Sequence, residues 1–164
     1  MMRLFNNDLM GCVFGMIKAI AIGNRFMTDD GIAIAVLENL RDKLESAGIK
    51  VIMGETDFQF CFHMLNEDDF VIILDAVYSG AAAGDIQTYN LQDAITAYGG
   101  TDFQHDMNVF DLMRLYSKPL KGCLIGIEIA ETQFGYELSD SLKGKFNDIC
   151  FEVERIIYEI VKEV

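Results

Sequence analysis

Two adjacent aspartates, Asp29 and Asp30, one isolated aspartate, Asp75, and His105 are the side chains best suited by type and context to do chemistry. Two carboxylates and an imidazole that converge can hold a divalent transition metal with coordination positions left open for substrate. The same set can work as general acid and base. Each residue also has a structural reading. Asp29 and Asp30 fall in the first turn of an expected helix, where acids receive free backbone N–H groups at the positive end of the helix dipole. The expectation is that one of them caps that helix while Asp30 points outward from a strand end. Asp75 can accept bonds from loop amides, and His105 can cap a helix expected to begin at Met107. The other histidine, His63, has apolar neighbours and reads as structural. Spacing alone leaves open whether Asp30, Asp75 and His105 meet.

An open, mainly parallel sheet is the scaffold that would bring them together. Residues 17–22 read as a buried strand, Gly23-Asn24 opens a tight turn, and a helix follows Thr28 with Ile32, Ala35, Val36, Leu40 and Leu44 along one face. Gly48 is placed to end that helix, and residues 49–53 give a second strand, completing a right-handed strand–helix–strand unit. A short helix is expected over 58–66 and a central strand over 70–74, ending at Asp75. The small-residue stretch 78–84 reads as a loop, 85–89 as an edge strand and 91–98 as a helical turn. Residues 107–116 read as a helix closed off by Pro119, and 124–129 as the last strand. The stripe Leu142, Phe146, Ile149, Val153 and Ile157 marks a long amphipathic helix over 139–164. In such sheets ligands collect outside the carboxyl ends of the strands, where strand order reverses. Asn24, Gly80 and Gly84 are the candidates for loops that meet a substrate there.

With 164 residues the chain is long enough for one domain with a buried core. That domain is expected over 16–164. The first fifteen residues lack the apolar core and cleavage site of a signal peptide and read as an extension. A net charge of −13 leaves no basic stripe for nucleic acid or for an anionic membrane surface. The longest apolar runs fall short of a membrane span. Four cysteines without CxxC or zinc-finger spacing read as free thiols; Cys61, Cys123 and Cys150 lie in apolar segments, which points to the cytoplasm. Neither GxSxG nor a P-loop is present. A dinucleotide site is disfavoured too, because two acids at the helix terminus would repel a pyrophosphate.

The run Gly23-Asn24-Arg25-Phe26-Met27-Thr28-Asp29-Asp30-Gly31 resembles the GN-x-L/F-x-x-D-D/E-G signature of hydrogenase maturation proteases. The resemblance continues at Ile73-Leu74-Asp75-Ala76, at His105 with Leu112 downstream, and at Gly135-Tyr136-Glu137-Leu138-Ser139. It implies an α/β three-layer sandwich, a twisted sheet of about five strands between helices. It also implies an endopeptidase that trims the C-terminal extension from the large-subunit precursor of a nickel–iron hydrogenase. The metal ligands and catalytic groups map onto Asp30, Asp75 and His105, with nickel supplied by the substrate and no organic cofactor. A monomer is expected. Asp30 stands where many members have Glu, Ala33 where a second glycine is frequent, and Gln104 where serine often precedes the histidine. Two other functions remain open from the residues: a chaperone-like module that docks on the precursor without cutting it, and a metal-dependent hydrolase of small molecules.

Overall fold

The computed structural model describes residues 15–98 and 107–164. Five apolar runs form one sheet: β1 (Ile17–Ile22), β2 (Lys50–Glu55), β3 (Phe70–Val77), β4 (Ile86–Asn90) and β5 (Lys121–Glu128). Their order is β2-β1-β3-β5-β4, parallel except for β4, which lies antiparallel on the edge against β5. The helices are α1 (Ile32–Ser46), entered by a 3₁₀ turn at Thr28–Gly31, α2 (Phe58–His63), α3 (Leu91–Tyr98), α4 (Val109–Leu115) and α5 (Asp140–Glu163).

Alternate strand residues face opposite ways, so each strand feeds two cores. Ala19, Ala21, Ile72, Leu74 and Ile125 pack against α1 and α5. Ile20, Val71, Ile73 and Leu124 pack against α2, α3 and α4. The result is the three-layer α/β sandwich that the sequence predicts, with five strands. At the amino edge of the sheet, Lys18 is buried 2.5 Å from Asp69, which also accepts from the Met16 and Asn66 amides. Burial pushes the Asp69 carboxyl up, but Lys18 and those amides outweigh it and hold it below its usual range. Cys61, Cys123 and Cys150 are buried free thiols, as expected. Of the expected extension over residues 1–15, only Gly15 is among the described residues; its amide donates to Asp68.

Two expectations need correction. The central strand does not end at Asp75, because β5 keeps pairing through Asp75–Gly126, Ala76–Ile127 and Val77–Glu128. Asp75 therefore sits inside the ladder and shares the face of Val71 and Ile73, under α3 and α4. The helix after the 99–106 segment starts at Val109, and its N-cap is Asn108 in a reciprocal capping box with Asp111. That position is not left for His105, which lies outside the described residues.

Candidate active site

The connection from β1 runs through α1 to β2 on one side, while β3 lies on the other. The carboxyl ends of β1 and β3 thus flank the point where strand order reverses. Asp30 arrives there through a tight turn. Gly23 has φ +139°, and a Cβ on it would lie 2.2 Å from the Asp30 carbonyl oxygen, so only glycine lets the turn fold this close. The Asn24 amide donates to Asp30 Oδ2 at 2.8 Å, and Asn24 Oδ1 accepts from the Phe26 amide at 2.9 Å. Arg25 braces the turn from outside through Glu38 of α1 and Glu55 of β2. Gly23→Ala is expected to cost about 1–3 kcal/mol. It should also make Asp30 titrate higher as the Asn24 bond is lost, which a thermal melt and a carboxyl NMR titration would read.

Asp29 and Asp30 part company completely. Asp29 is fully buried and accepts from the amides of Ala130, Glu131 and Ser139 and from the Ser139 hydroxyl. It caps neither element: Met27 is the N-cap of the 3₁₀ turn and Gly31 that of α1, both without a side-chain bond. Asp29 instead ties the 3₁₀ turn to the segment after β5 and to Ser139, the N-cap of α5. The expected capping role is therefore corrected to a long-range clamp.

Asp75 is half-buried on β3. Burial pushes its carboxyl well above the usual range, and the neighbouring Asp30 charge raises it further, against one bond from the Ala76 amide. Asp30 is raised by burial against the Asn24 amide. The Asp30 charge therefore reaches Asp75, and the two carboxyls share one recess. Its floor is Gly126, beside Asp75 in the ladder; a Cβ there would lie 2.8 Å from Val77 and 3.5 Å from the Tyr89 ring. Tyr89 thus lies over the sheet next to Asp75. The Tyr98 hydroxyl is raised by burial and then by Tyr89 and Asp75, which puts the end of α3 at the same recess.

His105 belongs to the connection between α3 and α4. Strand β4 runs down the sheet to end opposite Cys123 near the start of β5, so α3 climbs back toward the carboxyl edge. The Asn108 side chain donates to the Tyr98 carbonyl at 3.2 Å and closes the base of that connection. Among the described residues no three His, Cys, Asp or Glu side chains gather to hold a metal ion; Asp30 and Asp75 are a pair there. His63 is exposed on α2 and bonds the Gln59 carbonyl one turn back.

Sequence reasoning missed Glu128. It is buried at the end of β5 and accepts from the Ser79 amide, the Ser79 hydroxyl and the Gly80 amide. Its only signal was a charge closing a β-branched run. Exposed rings follow the carboxyl ends of three strands: Phe26 after β1, Tyr78 after β3, and Phe134 and Tyr136 after β5. Phe26 and Tyr136 meet edge to face at 5.2 Å.

A family model described as hydrogenase maturation protease matches residues 34–156, about three quarters of the chain. The matched span includes Asp75 and His105 and begins beyond the turn that carries Asp30. Among solved structures, the chain is similar to the hydrogenase maturating endopeptidase HybD from E. coli, with TM-score 0.69 and 19% identity over 88% of this chain and 93% of that one. It is similar also to the NiFe hydrogenase maturation protease HycI from Thermococcus kodakarensis KOD1, with TM-score 0.65 and 18% identity over 90% of this chain and 93% of that one. HybD from Thermococcus kodakarensis gives TM-score 0.58 and 21% identity over 86% and 99%. Likenesses at these identities speak for the fold. A comparison with curated proteins gives no match. The family match, on a sheet whose switch point holds a carboxylate pair, places this chain in the hydrogenase maturation protease family, whose members are peptide hydrolases.

Proposed function

We propose that this protease removes the C-terminal extension of the large-subunit precursor of a nickel–iron hydrogenase after nickel has been inserted, using Asp30, Asp75 and His105. One observation carries the reading: burial and the Asp30 charge make Asp75 costly to ionise, and among the described residues the other groups that act on the pair are the Asn24 and Ala76 amides. A divalent cation entering the recess relieves that repulsion, and two carboxylate oxygens with one imidazole suit nickel. The nickel comes with the substrate, so the enzyme engages only a loaded precursor.

In this reading Asp30 and Asp75 orient the precursor at the switch point, and His105 completes the set from the connection between α3 and α4. An ionised aspartate of the pair takes the proton of the attacking water, which then passes to the leaving amine. The exposed Phe26, Tyr78, Phe134 and Tyr136 supply apolar contact to the folded body of the precursor. Asn24, Gly80 and Gly84 lie in the loops that border the tail. The enzyme works as a monomer in the cytoplasm.

The test is cleavage of the cognate precursor by the purified chain with and without nickel. Tail removal only with nickel, lost in His105→Gln, supports the reading. Cleavage of the nickel-free precursor at the same rate removes the metal-sensing role, and binding without cleavage favours a docking module instead.

A further inference from the structure

We infer that Glu128 is a positioning residue for the peptide substrate: from beneath, it holds residues 79–82 as a backbone rail along which the extended tail lies on its way to Asp75. The inference rests on the proposed tail-removing activity and assigns the element that receives the tail. Glu128 pairs with Val77 in the ladder, and Asp75 pairs with Gly126, so both acids share one sheet face with Glu128 nearer the carboxyl edge. Both Glu128 oxygens are occupied, Oε1 by the Ser79 and Gly80 amides at 2.8 and 2.9 Å and Oε2 by the Ser79 hydroxyl at 2.8 Å. Its backbone continues the tie, accepting from Gly84 and donating to Asp85 at 2.8 Å each. Lys145 of α5 secures the far end by donating to the Ala83 carbonyl at 2.6 Å.

The inner contacts of this loop are polar, while residues 78–82 are exposed and consist of a tyrosine, a serine, a glycine and two alanines. Small side chains let another backbone approach closely, and recognition through main chain suits an extended peptide. The loop starts three residues after Asp75, so a peptide along it reaches the carboxylate pair directly. A carboxylate with both oxygens occupied by loop donors is spent on holding the loop. That separates Glu128 from the reacting groups.

The test uses the full chain and its nickel-loaded precursor. Glu128→Ala is expected to raise KM about tenfold or more, the worth of hydrogen bonds to a charged acceptor, with kcat changed less than about threefold. Glu128→Gln keeps an acceptor for the amides and should restore KM to within about threefold of wild type. A lowered Tm with unchanged KM in Glu128→Ala overturns the inference, as does a fall in kcat alone or a Gln variant as impaired as the Ala one. Should Glu128→Ala fail to fold, Ser79→Ala decides: a KM rise of about threefold supports the rail, and an unchanged KM overturns it. Wild-type chain that leaves the precursor uncut overturns the parent reading and this one with it; a normal wild type beside an unaffected Glu128→Ala overturns this one alone.

Discussion

Replacing Asp75 by Asn should abolish tail removal, by about a thousandfold or more, and yet leave the chain more stable at pH 8 than the wild type. The activity loss follows from removing one of the two carboxylates at the switch point. The stability gain follows from the raised Asp75 carboxyl, which burial and the Asp30 charge make costly to ionise. A carboxyl whose folded pKa exceeds its unfolded one leaves the native state holding more protons than the unfolded state. Stability then falls as pH rises from the ordinary carboxyl range through the raised folded value. Asn removes this contribution. The Tm difference between variant and wild type should therefore be near zero at pH 4 and widen toward pH 8, to about 2–4 °C for each kcal/mol relieved. Thermal melts of the metal-free chain across that range, beside precursor cleavage assays, read both effects. A variant that melts lower than wild type at pH 8 would contradict the account of the recess.

The neighbouring aspartate behaves in the opposite way. Asp29→Ala strips partners from three buried amides and a hydroxyl. Groups left unsatisfied cost about 1–3 kcal/mol each, and some regain water, so a loss of about 4 kcal/mol is expected. For a domain of this size that lowers Tm by about 8–16 °C. Asp29→Asn retains one acceptor and should fall between. The entry to α5 and the segment bearing Phe134 and Tyr136 would loosen first, since Asp29 is their shared anchor; hydrogen exchange at Ala130, Glu131 and Ser139 reads this directly. An Asp29→Ala variant melting within 2 °C of wild type would show that the clamp carries little energy. Adjacent residues of one type thus separate cleanly: Asp29 clamps the fold, and Asp30 carries the proposed chemistry.

Much of this was legible in local pattern. Apolar runs placed the strands, with the edge strand expected over 85–89 found at Ile86–Asn90, and the Leu142–Ile157 stripe placed α5. Asp30 and Asp75 could be singled out because one follows the first strand and the other read as the end of the central strand, at the edge where ligands gather. What local pattern could not show is what a side chain reaches across the chain. Asp29 bonds partners 101 to 110 positions away, and Glu128 bonds a loop 48 to 49 positions away. A charge in β3 read as its terminus because the opposing Gly126, which leaves room beside Asp75, sits on a strand far along the chain. The start of α4 was locally readable: Asn108 and Asp111 have capping-box spacing, a stronger signal than an isolated histidine.

The two anchoring acids grip mostly main chain. Three of the four bonds to Asp29, and two of the three to Glu128, come from backbone N–H groups. Such anchors dictate the path of a segment and are indifferent to which side chains it displays. The outward residues of both walls can therefore drift, or be exchanged wholesale, while the frame around the recess stays put. Under the proposed function, retargeting the enzyme to another precursor is a matter of rewriting Tyr78, Phe134 and Tyr136 with Asp29 and Glu128 left alone.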